Sequence, residues 1–284
     1  MSKLSERAML VSLHRGMWMG KKQDKRVTAQ AEAANNCQGD AGVFTKYLVG
    51  KELIGKVAKA SAALYTYHIK NTLPWADGGT RILTVDNYDK YCEGVRKLIE
   101  EARAAAAEFV KIYPDLYREA AVRLGDMFNA DEYPDVEKIE SKFYAEYNVW
   151  PLPEQGDFRS NLSQGDVEGI KSRMEQQVQD TVKEAVKSLW DRMQKVVKHA
   201  HEKLADPESK FHNSLVENIA EECDLLARLN LTGDADLENV RIETQKLLAG
   251  LNPQDLRDDP NTRTQAASDA KSLLDKMAGY AGAI

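Results

Sequence analysis

A chain of 284 residues with 43% hydrophobic and 30% charged positions, 17 Gly and 8 Pro, has the composition of a helix-rich globular protein, which excludes wholesale disorder. That length suits one large domain or two small ones. No run of about 18 apolar residues is present to cross a membrane, and the N-terminal stretch through Arg26 lacks the apolar core of a signal peptide, so a cytoplasmic protein is expected.

The net charge of −6 is unevenly placed. Residues 1–75 hold 12 Lys/Arg against 5 Asp/Glu (+7), leaving 27 against 40 (−13) for the rest. A basic head on an acidic body suits a contact for an acidic partner or packing of one part on the other; ordinary drift between solvated faces gives the same numbers. Cys37, Cys92 and Cys223 are far apart with no C-x-x-C pair, as expected of reduced structural thiols.

In chain order, residues 9–19 read as a strand with alternating faces ending near Gly20, or else as the start of a helix, and a helical pattern follows to about Ala34. Asn35–Gly42 reads as a loop and Val43–Val49 as a short apolar segment. Ile54, Val57, Ala58, Ala62, Tyr65, His68 and Ile69 form a helical stripe between Lys51 and Asn71. Thr72–Gly79 has turn chemistry, and Arg81–Val85 reads as a strand. Asp86 is placed as the N-cap of a long helix that Pro114 should break or kink. A further helix then carries Leu116, Ala120 and Leu124, and a short one carries Ile139 and Phe143. Tyr144–Pro153 reads as extended.

The longest periodic stretch is Ser163–Asp206. Val167, Ile170, Met174, Val178, Val182, Ala185, Leu189, Met193, Val196, Ala200 and Leu204 recur at steps of three and four, one apolar stripe on one helix. Ser163 with Asp166 signals the N-cap, and Asp206-Pro207 ends the helix because the residue before proline is pushed from the α region. About 40 residues span roughly 60 Å, so this helix needs several partners. The stretches from Asp86 and from Asn213 can supply them. Helices are also expected over 213–229, 236–250 and about 262–277, with a fraying tail.

The expected fold is mainly α: long antiparallel helices forming a helical bundle or coiled-coil body, with a small β element from the N-terminal half. The expected division is an N-terminal region, 1–160, and a C-terminal bundle region, 161–284, which can also be one continuous domain.

Motifs for chemistry fail individually. Gly50-Lys-Glu-Leu-Ile-Gly55-Lys56 fits the spacing of a phosphate-binding loop, but Val57 stands where Ser or Thr must hold magnesium, and the intervening residues are helix formers. His199 and His201 lie two residues apart on a helix, about 200° around it, and cannot share a metal. No zinc spacing, nucleophile elbow or dinucleotide fingerprint occurs. No cofactor is expected, and the chain reads as non-enzymatic.

Interaction features remain. Lys21, Lys22, Lys25 and Arg26, with Arg15, cluster beside Trp18 and could hold phosphate with a stacking platform; the bland alternative is a solvated helix start. Trp75 and Trp150 each sit beside proline, as loop pins or as interface anchors.

Several stretches together resemble one family. They are Trp18-x-Gly-x-Lys-x-Asp-Lys25, Asp40-Ala-Gly-x-Phe44, His68-x-x-x-Thr72-Leu-Pro-Trp75, Tyr113-Pro-x-Leu116, Arg123-Leu-Gly-Asp-Met-Phe128, Gly156-Asp-Phe-Arg159, Ser214-Leu-Val-Glu-Asn218 and Leu229-Asn-Leu-Thr-Gly-Asp234. Over about residues 9–250 the chain resembles an uncharacterised family of phage, prophage and bacterial proteins of unknown function. Its members are often encoded beside a MoxR-type AAA+ ATPase and a von Willebrand A-domain protein. The resemblance implies a helical adaptor or client of that ATP-driven system and carries over no catalytic residue. The alternative expectation is a nucleic-acid accessory protein that uses the basic N-terminal segment. A homo-oligomer is compatible with the apolar stripe; a membrane partner is not expected.

Overall fold

The computed structural model describes residues 4–37, 39, 41–75, 79–153 and 164–281. Helix dominates, as the three- and four-residue periodicities require, beside a small antiparallel sheet. The helices are α1 (Leu4–Arg7), α2 (Lys25–Ala34), α3 (Lys51–Lys70), α4 (Tyr88–Leu124), α5 (Gln164–Ala205), α6 (Ser214–Leu229), α7 (Ala235–Thr244), α8 (Asp255–Asp258) and α9 (Pro260–Ala281). The strands are β1 (Ala8–Gly16), β2 (Lys21–Gln23), β3 (Thr45–Tyr47), β4 (Leu73–Pro74), β5 (Thr80–Thr84) and β6 (Tyr144–Pro151). One sheet has the order β4-β5-β1-β6, and β2 pairs with β3 in a separate two-stranded ribbon. β1 and β5 are antiparallel from Ala8↔Thr84 to Ser12↔Thr80. Among the described residues no helix is long and apolar enough to cross a membrane.

Two compact units form, and both are discontinuous in sequence. The first comprises Met1–Ser12, Ile69–Tyr91 and Asn148–Ile284; the second comprises Leu13–His68 and Cys92–Tyr147. The sequence pattern by itself suggests either one cut near residue 160 or one continuous domain.

The first unit is built along the buried part of α5. Ala185, Leu189, Met193, Val197, Ala200 and Leu204 are buried with Ile219, Leu226 and Leu229 of α6 and Ala270 and Leu273 of α9. Val197 takes the buried place expected for Val196, which is only partly covered. α9 runs antiparallel to α5. At one end Trp190 stacks on Tyr280 with centroids 5.4 Å apart; at the other, the Arg263 guanidinium donates to the carbonyls of Lys203 (3.0 Å), Leu204 (3.1 Å), Asp206 and Ser209 (2.9 Å). The Lys203 and Leu204 carbonyls are among the orphans that every helix C-terminus leaves, and a cation suits the negative end of the helix dipole. Asp234 caps α7 by accepting from Asp236 N and Leu237 N, and its second oxygen accepts from Trp190 Nε1 at 3.2 Å.

The second unit has an aromatic centre. Phe109, Tyr113 and Tyr133 are buried, with Trp18, Tyr117, Phe128 and Phe143 packed against them. Burial raises the hydroxyl pKa of Tyr113 and of Tyr133. Each hydroxyl instead donates to a loop carbonyl, Tyr113 to Pro134 O at 2.7 Å and Tyr133 to Leu48 O at 2.8 Å.

Several local expectations change. α4 passes through Pro114 without ending. An interior proline costs about 3 kcal/mol, but Tyr113, Ala120 and Leu124, on both sides of it, are buried in the same core and hold the helix through. Asp86 lies in a 3-10 turn, Val85–Asn87, ahead of α4 rather than capping it. The helix expected around Ile139 and Phe143 is a 3-10 turn, Glu140–Lys142. The helix expected over 236–250 changes from α to π at Gln245–Ala249. α8 occupies the loop between the two late prolines, and α9 runs to Ala281 where a frayed tail was expected. The Ser163 cap and Gly156–Ser160 lie outside the described residues.

Candidate functional site

In the second unit the basic segment is presented by β2, α2 and β3. Gly20, with φ +60°, turns the chain out of Trp18, and its carbonyl accepts from Leu48 N at 2.8 Å; the left-handed region is open to glycine at little cost. Asp24 then caps α2 through Val27 N at 3.1 Å, and its own N–H donates to Phe44 O at 2.9 Å. Lys21 lies opposite Tyr47, Lys22 opposite Lys46 and Gln23 opposite Thr45. Directly opposed residues share a face. One face of the ribbon therefore carries Lys21, Gln23, Thr45 and Tyr47, all exposed.

The other face is fixed by an ion cluster. Lys46 is buried, with Nζ 3.2 Å from Asp24 Oδ2, 2.7 Å from Glu132 Oε2 and 2.8 Å from Met127 O. Burial alone would lower the lysine pKa, but hydrogen bonds to Glu132 and Asp24 outweigh it and hold the ammonium above its ordinary value. The Val27 N–H, with Lys46 adding to it, holds Asp24 below the usual carboxylate range. Arg123 donates to the carbonyls of Tyr47 (2.8 Å) and Leu48 (2.6 Å), clamping β3.

The ribbon thus separates the residues singled out in sequence. Lys21, Lys22 and Lys25 are exposed, and none forms an ion pair among the described residues. Arg26 is exposed and donates to Asp126 O at 3.1 Å. Trp18 is not beside them as an open platform. It is half-buried, edge-on to Tyr113 at 5.5 Å and tilted against Phe109 at 6.1 Å. The rings that stand open near the lysines are Tyr47, 41% exposed, and Phe44, 38% exposed. Both were passed over inside an apolar segment, although the aromatic and β-branched run Val43-Phe-Thr-Lys-Tyr47 is strand-like in itself.

In the first unit Trp75 pins its loop. Its ring packs against the core and its carbonyl accepts from Thr181 Oγ1 at 3.1 Å. Beside it an open groove of about 510 Å³ is lined by Pro74, Trp75, Arg173, Gln177, Asp180 and Glu184. Over the same stretch of α5 the apolar stripe leaves the core. Val167, Ile170, Met174 and Val178 are only half-buried, and none joins the buried cluster, whose α5 members begin at Ala185 with Val182 packed against them. Trp150, on β6, is 54% exposed.

Among the described residues no group of three or more His, Cys, Asp or Glu is arranged to hold a metal. Lys51–Lys70 is helical, so Gly50–Lys56 is a helix start and not a phosphate cradle. His199 is exposed, while His201 Nδ1 lies 3.0 Å from Ala267 O and ties α5 to α9. Glu222 is paired with Arg192 at 2.7 Å. Burial pushes the Cys223 thiol up to about 11, which suppresses the thiolate. What both units offer is surface: a cationic, aromatic ribbon in one, and an apolar helix face with a tryptophan-walled groove in the other. No protein-family model matches this chain, and neither a curated protein nor a solved structure matches it.

Proposed function

We propose that the chain is a non-catalytic helical interaction protein of phage or prophage type, in which α5 is the spine of a helical bundle and its N-terminal third docks a partner protein. The observation that carries this reading is the change along α5. Residues 164–180 span about 25 Å and keep the apolar stripe, yet Val167, Ile170, Met174 and Val178 stand outside the core. An amphipathic helix gains stability by covering such a stripe, and a partner helix laid along it meets anchors at the spacing used by helix-in-groove recognition. Trp75 at the groove wall adds the residue type that dominates interface energetics. The family resemblance directs the search for the partner to a MoxR-type AAA+ ATPase and a von Willebrand A-domain protein.

The test is co-purification of the tagged full chain with the ATPase and the von Willebrand A-domain protein encoded beside it, with and without ATP. Wild type retains at least one of them, and Ile170→Asp with Met174→Asp reduces retention at least about tenfold. Retention of neither protein, or equal retention by the double variant, overturns the reading.

A further inference from the structure

Independently of that reading, we propose that the β2–β3 ribbon of the second unit binds single-stranded nucleic acid, with Tyr47 as the stacking ring and Lys21, Lys22 and Lys25 as the phosphate contacts. The observations are local. Lys21 and Tyr47 are directly opposed and share the outward face, whereas Lys22 is opposed to Lys46 and is exposed on the ribbon's other side; cross-strand neighbours like Lys21 and Tyr47 have Cβ atoms about 5 Å apart, so an ammonium and an open ring are offered side by side, with Lys22 and Lys25 as flanking charges. Phe44, just before β3, is a second exposed ring in this segment.

The three lysines have no carboxylate to neutralise them among the described residues. The nearest acid in sequence, Asp24, is buried and already committed to Lys46 and Val27. The ribbon strands carry no acidic residue. Among the described residues the cationic surface is therefore uncompensated, while Asp24, Glu132, Met127 O and Arg123 fix the backbone beneath it.

Charge and shape select the occupant. An acidic peptide would satisfy the lysines and leave the rings unused. A duplex presents phosphates but keeps its bases stacked away from a flat ring, and a chain with −13 outside its first 75 residues repels it. A single strand offers both phosphates and unstacked bases, the pairing that sequence-tolerant single-strand binders use. Three lysines and one or two rings make a weak site with strong salt dependence.

Fluorescence anisotropy of labelled oligothymidylate against the full chain tests the proposal. Three phosphate contacts on a single strand give a log–log salt slope of about −2, a roughly twentyfold loss of affinity between about 50 and 200 mM salt. Lys21→Ala with Lys22→Ala and Lys25→Ala abolishes that slope. Tyr47→Ala weakens binding roughly tenfold, and Tyr47→Phe, which keeps the ring, stays within about twofold. These side chains are exposed, so circular dichroism of the variants should match wild type. No binding at about 50 mM salt, or labelled polyglutamate bound as tightly as the oligonucleotide, overturns the proposal; both arms use the wild-type chain alone. Wild-type affinity in Tyr47→Ala does so as well, and leaves an acidic polypeptide as the ligand.

Discussion

The two units solve packing differently. The first buries mostly Leu, Ala, Val and Met, chiefly from α5, α6, α7 and α9, with Trp190 and Tyr91 as buried large rings among the described residues. The second buries Phe109, Tyr113 and Tyr133 and surrounds them with four more aromatic side chains. Helices bring their own hydrogen bonds, so an aliphatic interior suffices between them. The second unit must also hold irregular chain, the segment from Gly125 to Phe143 and the ribbon. There the polar tips of tyrosines reach loop carbonyls that would otherwise be buried unpaired. A lysine between two carboxylates does the same for the ribbon.

The largest effect that tests this contrast is at Lys46. Lys46→Met leaves Asp24 and Glu132 uncompensated and should destabilise the second unit by about 3–5 kcal/mol, measured by urea unfolding with Trp18 emission as the local probe. Leu189→Ala in the first unit should cost a similar amount, about 2–5 kcal/mol, through cavity formation alone. The two variants should then part company with pH. Asp24 has a folded pKa below its ordinary 3.8, so its contribution is complete above that value and is lost as pH falls through the folded value. Lys46 has a folded pKa above 10.5, so its contribution is complete below that value and is lost as pH rises through the folded value. Trp18-detected stability should hold between about pH 4 and pH 10 and fall outside that window. Asp24→Asn, which can still cap α2, should shrink the acid limb; an unchanged acid limb would put the pH dependence elsewhere.

Next in size, Tyr113→Phe should cost about 1–3 kcal/mol by orphaning Pro134 O, although it removes a single atom. Arg263→Ala should cost about 1–2 kcal/mol by freeing the last carbonyls of α5. Comparable losses at these two sites would show that polar tethers matter in both units, and would narrow the contrast to the ring content of the cores. The smallest effect is chemical. A thiol reagent should modify Cys37 rapidly and leave Cys92 and Cys223 protected until unfolding, because Cys37 is exposed and the other two are buried.

The elements most legible in sequence were those with a repeating pattern. α2, α3, α6 and most of α5 fall within a residue or two of the spans their periodicities give. The strand register and the short turns were not legible, since a three-residue strand such as β3 has no period to count. The continuity of α4 past Pro114 is not legible, because the buried side chains that offset the proline's cost lie outside the local pattern. For the candidate site, the cations are legible by type alone, whereas only pairing across the ribbon shows that Tyr47 lies opposite Lys21. The fading of the α5 core was also invisible, since Val167, Ile170, Met174 and Val178 carry the same letters as the buried positions after them.

The interleaving of the units has a consequence during synthesis. Everything in the second unit has been translated once Tyr147 is made, whereas the first unit still lacks α5, α6, α7 and α9. Nascent chains commonly fold unit by unit as their parts emerge. The aromatic unit, though inserted between pieces of the other, can therefore be finished first. The strand residues Ala8–Ser12, which precede the second unit in the chain, must wait for helices that follow it before their unit closes.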